Sequence, residues 1–167
     1  MGDIGFQELL LITFIVCFIA ITPYIFYLLE LQKTLSAVKP ENRKMHPGLV
    51  WLLFIPLFST YWYYKVVTSI ADSLAAEFEE RHIEVDEQRP GLKMGIALFV
   101  IGVIQIFQNV YSKYFAFSGE GTPNVKLRIT MFLITFILGI TSFVLFIMYW
   151  IKIKGYRKLI IEAKNLN

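Results

Sequence analysis

Four apolar segments, each about 20 residues long, constrain this chain more than any other feature. They cover residues 6–31, 48–70, 91–112 and 129–151. At a rise of about 1.5 Å per residue, a helix of about 20 residues spans the roughly 30 Å hydrocarbon layer of a bilayer. Short polar segments separate them, at residues 32–47, 71–90 and 113–128. The pattern therefore predicts four transmembrane helices.

The composition also indicates a membrane protein. The chain is 56% hydrophobic and 17% charged, whereas soluble domains are about 45–50% apolar and about 25% charged. Residues 1–7 contain no Lys or Arg and the first apolar segment is long, so we expect a retained helix rather than a cleaved signal peptide. We therefore predict that residues 1–167 form one integral membrane domain, an all-α bundle of four transmembrane helices.

Two of the predicted helices continue beyond the membrane. Apolar residues recur at helical spacing through an acidic extension, residues 66–83, and through a basic extension, residues 152–166. With four spans, both extensions emerge on the side of the two termini. We expect them to pack against each other, and the alternative is that the basic one lies on anionic lipid headgroups. The run of acidic residues from Glu77 to Glu87 is expected to be a solvated helix face and linker.

Aromatic and basic residues mark the ends of the apolar segments, as is typical of the headgroup region of a membrane. The predicted interface anchors are Trp51, Tyr61, Trp62, Lys65, Tyr149, Trp150 and Lys152. Four spans place nine Lys and Arg residues on the side of the termini and seven on the other side. This small excess favours cytoplasmic termini.

The third predicted helix carries polar residues within a membrane segment. Gln105, Gln108, Asn109 and Ser112 follow the spacing i, i+3, i+4, i+7 and share one face. Because an amide in hydrocarbon is costly unless it is hydrogen-bonded, this polar stripe is expected to bond to neighbouring helices. The alternatives are that it lines a path for a solute or ion, or that it contacts a lipid or quinone headgroup.

Small residues form faces on which helices can approach closely. On the first and fourth helices the predicted packing faces are Thr13, Cys17, Ala20, Thr135, Gly139 and Ser142. On the third helix Gly95 and Gly102 lie one heptad apart and can serve the same purpose. Such faces are equally suited to packing within the bundle and to packing against a partner.

Residues for catalysis or metal binding are sparse. The four-span topology places His46 and His82 on opposite sides of the membrane, and the single cysteine excludes an intramolecular disulfide. We find no nucleophile–base pair, phosphate loop or metal-ligand spacing, and no ionisable residue deep in a span. The sequence therefore argues against an enzyme, a coupled transporter and a bound cofactor. Basic residues flank apolar runs, which argues against a nucleic-acid partner.

One segment, residues 29–74, carries a recognisable pattern. Its elements are Asn42-Arg43, Met45, Pro47-Gly48, Trp51, Ile55-Pro56-Leu57-Phe58, Trp62 and Ile70-Ala71-Asp72-Ser73-Leu74. The pattern resembles a family of small bacterial membrane proteins of unknown function, in which a basic loop and Pro-Gly precede a tryptophan-containing helix with an internal proline. Ser59-Thr60 stand where other members have Asn-Leu. The resemblance implies a bacterial inner membrane and a multi-helix fold, and it implies no activity.

The chain is small, has faces suited to close packing, and shows neither a soluble domain nor a buried charge. These features predict a non-enzymatic accessory or assembly subunit of a larger membrane complex. Its expected partners are the lipid bilayer and other membrane protein subunits, or further copies of itself. The alternative is a homo-oligomeric channel or small-solute permease lined by the polar stripe.

Overall fold

The computed structural model describes residues 5–56, 58–117 and 125–166, without the side chains of residues 17, 20, 115–117 and 166. These parts are all-α. The helices are α1 (Phe6–Ala37), a 3-10 helix η1 (Pro47–Phe54), α2 (Phe58–Glu80), α3 (Leu92–Phe117) and α4 (Val125–Leu166). Among the described residues, three helices are long and apolar enough to cross a membrane: α1, α3 and α4.

The second predicted helix, residues 48–70, is divided into two elements. Its first part is η1, which Pro47 opens and whose first turn His46 caps by accepting a hydrogen bond from the Gly48 N–H at 3.2 Å. A proline disfavours helical geometry in the residue before it, and Ile55 is accordingly extended. Pro56 therefore ends the 3-10 helix, where a bend was expected. Pro23, by contrast, lies inside α1, which continues through it.

The two elements form a hairpin, which we call the Pro56 hairpin (residues 47–80). The Trp51 indole donates a hydrogen bond to Gln32 Oε1 at 2.7 Å, and this contact holds η1 along α1. The Trp62 indole donates to the Leu49 carbonyl at 2.7 Å and ties the two arms of the hairpin together. The second arm, α2, then returns antiparallel to α3, with the rings of Tyr64 and Phe99 5.6 Å apart.

The buried residues gather at one end of the molecule, which we call the packed end. It consists of the C-terminal parts of α1, α2 and α4, the N-terminal part of α3, and loops 38–46 and 81–91. Its largest fully buried side chains include Tyr27, Leu28, Leu31, Leu35, Ile70, Leu74, Tyr149, Ile153 and Ile160. The opposite halves of the three long helices are open: Phe14, Phe107 and Phe132 are each more than two-thirds exposed.

Two loops predicted on opposite sides of the membrane lie together at the packed end. The Lys39 N–H donates to Glu77 Oε2 at 3.0 Å, and the Asn42 amide donates to the same oxygen at 2.9 Å. The prediction that residues 32–47 and 71–90 lie on opposite sides is therefore wrong, and so is the separation of His46 from His82 that depended on it. The reason is the Pro56 hairpin, which leads the chain away from the packed end and back.

The predicted contact between the two helix extensions is present, but it is apolar. The rings of Phe78 on α2 and Tyr156 on α4 meet edge to face, 5.7 Å apart. Two basic residues of α4 pair with carboxylates outside α2: Arg157 Nε lies 2.6 Å from Glu30 on α1, and Lys152 Nζ lies 2.6 Å from Glu87 in loop 81–91. Charge complementarity thus joins α4 to α1 and to the loop.

Glu87 also holds the turn into α3. Its carboxylate accepts a hydrogen bond from the Gly91 N–H at 2.7 Å. Gly91 has φ +78°, a left-handed conformation that glycine adopts without strain. The hydrogen bonds from Lys152 and from the Gly91 N–H lower the pKa of Glu87 below its ordinary value. Glu87 therefore stays ionised and links the loop, α3 and α4 at neutral pH.

The closest approach between α2 and α3 occurs at Gly95. A Cβ placed there would lie well inside van der Waals contact with the side chain of Val67, which is buried. A Cβ at Gly102, two turns along the same helix, would have no atom within 4 Å. The two glycines predicted to serve close packing therefore differ: Gly95 does so, and Gly102 faces open space.

Replacing Gly95 by alanine is expected to lower the free energy of unfolding by about 1–3 kcal/mol, because the added methyl group overpacks the contact with Val67. Gly102→Ala is the matched control. It adds the same methyl group in open space and is expected to leave stability unchanged or raise it by up to about 1 kcal/mol through helix propensity. Thermal unfolding of both purified variants tests this, and equal effects would contradict the close contact.

Candidate functional site

A cleft of about 480 Å³ lies beside the Pro56 hairpin and is lined by residues of α1, η1, α2, α3 and α4. The break at Pro56 places Ser59 and Thr60 in the first turn of α2, where they form one wall. Gly102 on α3 and Gly139 on α4 carry no side chain into the space, and a Cβ at either would meet no atom within 4 Å. Two glycines and a proline thus create the cleft.

The lining is neutral and divided by chemistry. Hydroxyl and amide side chains line part of it: Tyr24, Tyr27, Ser59, Thr60, Tyr63, Gln105 and Ser142. Aliphatic and phenyl side chains line the rest: Leu53, Leu98, Phe99, Val103, Ile106, Phe143 and Phe146. Among these described lining residues there is no Asp, Glu, Lys or Arg. The cleft therefore offers an uncharged ligand both hydrogen-bonding groups and apolar walls.

Two tyrosines leave hydroxyl groups unsatisfied at this site. Tyr27 is 1% exposed, and the hydroxyls of Tyr27 and Tyr63 are buried without a hydrogen-bond partner of good geometry in the described part of the chain. The two hydroxyls lie near each other, but a single bond between them would still leave one O–H proton without an acceptor. An unsatisfied buried donor is costly, so these groups mark a place for an acceptor atom.

The cleft opens sideways onto the exposed faces of the long helices. Ile106 on α3 and Phe143 on α4 line it and are 47% and 67% exposed, respectively. Both belong to candidate membrane spans. This edge of the cleft therefore lies on exposed apolar faces of two candidate spans.

The predicted polar stripe of α3 is divided by the structure. Gln105 lines the cleft, and Gln108 is partly buried with its Oε1 atom unpaired among the described residues. Asn109 and Ser112 are exposed, and the Asn109 amide donates to the Gln105 carbonyl of its own helix at 2.8 Å. The hydrogen bond described for the stripe is thus intrahelical, where interhelical bonds were expected.

The predicted packing faces are likewise divided. Gly139 and Ser142 line the cleft. Thr13 and Thr135 are exposed and donate hydrogen bonds to the carbonyls of Leu9 and Met131 within their own helices. The side chains of Cys17 and Ala20 lie outside the described residues.

Four of the residues predicted to be interface anchors make contacts within the fold. Trp51 and Trp62 hold the Pro56 hairpin, Tyr149 is buried in the core, and Lys152 pairs with Glu87. The others are more accessible: Tyr61 and Lys65 are exposed, and Trp150 is partly buried with its ring 6.3 Å from that of Tyr27.

The residue that sequence reasoning missed most clearly is Glu77. It was expected in a solvated acidic run, yet it is fully buried and anchors loop 38–46. A signal was present, because Glu77 follows Ile70, Ser73 and Leu74 at helical spacing on the buried face of α2.

No group of three His, Cys, Asp or Glu side chains in the described chain is placed to hold a metal ion. No protein-family model, curated protein or solved structure matches this chain, so function is inferred from its geometry and chemistry.

Proposed function

We propose that this chain is a non-enzymatic integral membrane protein that acts as an accessory or assembly subunit of a larger membrane complex. The observation that carries the proposal is the exposure of Asn109 and Ser112 on the outer face of a candidate span, Leu92–Tyr114. The intrahelical bond of Asn109 uses one N–H and leaves its carbonyl oxygen available. Polar groups exposed on a candidate span favour a helix of a partner that hydrogen-bonds to them.

The open halves of the long helices support the same proposal. Of the most apolar 18-residue windows in α1, α3 and α4, 0%, 11% and 0% of the residues are buried, respectively. Exposed Thr13 and Thr135 lie on these halves and allow a second helix to approach closely. An assembly subunit needs such unoccupied helix faces, and lipid covers the remainder.

We further infer three membrane spans with the Pro56 hairpin entering the membrane from the packed end. The tip of the hairpin is apolar and exposed at Phe54, Ile55 and Phe58. Part of its backbone is paired internally, since the Phe58 and Ser59 N–H groups donate to the carbonyls of Pro56 and Ile55. Non-helical backbone is tolerated in a membrane where its polar groups are satisfied in this way.

The distribution of positive charge supports this topology. Of the 16 Lys and Arg residues, 12 belong to the packed end, in residues 33–44, 81–93 and 152–164, and three to the opposite end, in residues 113–128. The remaining one is Lys65 on α2. By the positive-inside rule, this excess favours a cytoplasmic packed end. With three spans, the C-terminus is then cytoplasmic and the N-terminus is on the opposite side. The membrane is the bacterial inner membrane that the sequence resemblance implies.

Extraction of the tagged full chain in a mild detergent tests the proposed function. We expect a membrane protein to co-purify at fixed stoichiometry with the wild type and to be lost from the Asn109→Leu Ser112→Leu variant. Thr141→Val is the matched control: Thr141 is also exposed and donates to a carbonyl of its own helix, but it lies on α4. Recovery of a lone chain from the wild type would refute an accessory subunit.

A homo-oligomeric channel is the second candidate, because Asn109 and Ser112 would line a polar path if several copies met on this face of α3. Purified wild-type oligomers reconstituted in liposomes would then pass a small neutral solute. The Asn109→Leu Ser112→Leu variant would stay folded and lose that flux. A homo-oligomer without flux, or flux that persists in the variant, would exclude the channel.

A further inference from the structure

We propose that the cleft beside the Pro56 hairpin binds a neutral amphiphile through a carbonyl oxygen, which accepts hydrogen bonds from Tyr27 and Tyr63. The inference is independent of the proposed assembly role. Carbonyl oxygens attached to an apolar body occur in two membrane components, the acyl esters of diacyl lipids and the rings of quinones. Both present the same chemistry to the cleft, and the experiment below distinguishes them.

The hydroxyl groups of Tyr27 and Tyr63 define the polar end of this ligand. They supply two O–H protons, of which a mutual hydrogen bond can use one. The ligand must therefore bring an acceptor and needs no donor for these two groups. A carbonyl oxygen has two lone pairs and can accept from both hydroxyls at once.

The remaining lining defines the rest of the ligand. Because the described lining lacks charged side chains, an ionised headgroup would lose its hydration without gaining a counter-charge. Phe99, Phe143 and Phe146 supply apolar walls for a ring or chain. The volume of about 480 Å³ lies within the range of about 300–1,000 Å³ that is common for small-molecule sites.

The sideways opening provides access from the bilayer. An amphiphile dissolved in the hydrocarbon layer reaches the cleft past Ile106 and Phe143 without crossing water. Its carbonyl then lies next to Tyr27, and its apolar tail remains among the exposed faces of α3 and α4. The site thus suits a ligand that partitions into the membrane.

The test uses the purified full chain in detergent micelles and decylubiquinone as the probe. Trp150 has its ring 6.3 Å from that of Tyr27, so we expect saturable quenching of tryptophan fluorescence on binding. Tyr27→Phe and Tyr63→Phe each remove one hydroxyl and keep the ring. Each is expected to weaken binding roughly two- to tenfold, the effect of one hydrogen bond. Tyr61→Phe is the control: Tyr61 lies on α2, like Tyr63, but it is exposed and does not line the cleft. This variant is expected to leave binding unchanged.

A second variant blocks the cleft without disturbing the core. Gly102→Leu places a side chain in open space, so we expect an unchanged or raised melting temperature and loss of binding. In a parallel arm, chemical extraction and mass spectrometry of the protein purified from its membrane identify the retained ligand. A quinone or a diacyl lipid bound near one per chain in the wild type and lost in Gly102→Leu supports the proposal and identifies the source.

Three results would overturn the proposal. The first is neither saturable quenching nor a retained carbonyl amphiphile, which would indicate that water alone fills the cleft. The second is binding that is equal in the wild type, Tyr27→Phe and Tyr63→Phe. The third is binding that persists in a folded Gly102→Leu variant, because the ligand would then lie elsewhere.

Discussion

Cysteines introduced at Glu41 and at Glu84 are expected to react with a membrane-impermeant maleimide from the same side of a sealed vesicle, and a cysteine at Lys126 only from the opposite side. All three positions are exposed in the structure. The expectation follows from the hydrogen bonds of Lys39 and Asn42 to Glu77, which hold loop 38–46 against the end of α2. Two loops joined at hydrogen-bond distance cannot be separated by a hydrocarbon layer of roughly 30 Å.

The measurement is close to all-or-none, since a bilayer blocks the reagent completely. Cys17 is first replaced by Ser so that each variant carries a single thiol. Four continuous spans require the other pairing, with positions 41 and 126 labelled together and position 84 labelled from the other side. Labelling in vesicles of known orientation also assigns the cytoplasmic face. Modification of positions 41 and 84 from opposite sides would refute the Pro56 hairpin.

Loss of the Glu77 carboxylate is expected to lower the free energy of unfolding by about 3–5 kcal/mol, because Glu77 and Arg81 form a buried ion pair. Glu77 is fully buried and accepts hydrogen bonds from Arg81 Nε at 2.6 Å, the Asn42 amide and the Lys39 N–H. In Glu77→Gln these donors meet an amide that has only one acceptor oxygen. Glu79→Gln, an exposed neighbour on the same helix, is the matched control and is expected to change stability by less than about 0.5 kcal/mol.

The same pair of proteins gives a pH signature. Burial alone would raise the pKa of Glu77, but the hydrogen bonds from Asn42, Arg81 and Lys39 outweigh it and lower the pKa below the ordinary value of 4.5. A lowered pKa stabilises the fold above pH 4.5, and this stabilisation is lost as the pH falls through the lowered value.

Thermal unfolding of the wild type and Glu77→Gln across this pH range is the measurement. The difference in stability between the two proteins should be constant near neutral pH and shrink below pH 4.5. A difference that is small at neutral pH, or that does not change on acidification, would contradict the buried and ionised carboxylate.

Three of the long helices follow directly from the sequence. The apolar segments 6–31, 91–112 and 129–151 correspond to α1, α3 and α4. An uninterrupted apolar segment of about 20 residues is typical of a helix that spans a bilayer. The segment 48–70 has the same length and apolar character, and these properties do not distinguish one helix from two. Pro56 was visible, but whether a proline bends a helix, as at Pro23, or ends it depends on the surrounding contacts.

The cleft could be predicted only in part. Gln105, Gly139 and Ser142 were identified from their spacing, yet they were assigned to separate faces on separate helices. The sequence around Tyr27 and Tyr63 does not predict that they line a cleft. A tyrosine near the end of an apolar segment usually marks the headgroup region. Their unsatisfied hydroxyls are a property of the packing around them.

Composition and hydrophobic periodicity by themselves determined that this is an all-α chain with apolar helices long enough for a membrane, because burial in hydrocarbon depends on the length and polarity of each segment alone. Only the tertiary structure decided how these helices are connected and where the polar groups meet. The Trp51–Gln32 and Glu77–Asn42 hydrogen bonds join residues 19 and 35 positions apart. Contacts of this range depend on how the chain returns on itself, which local pattern does not encode.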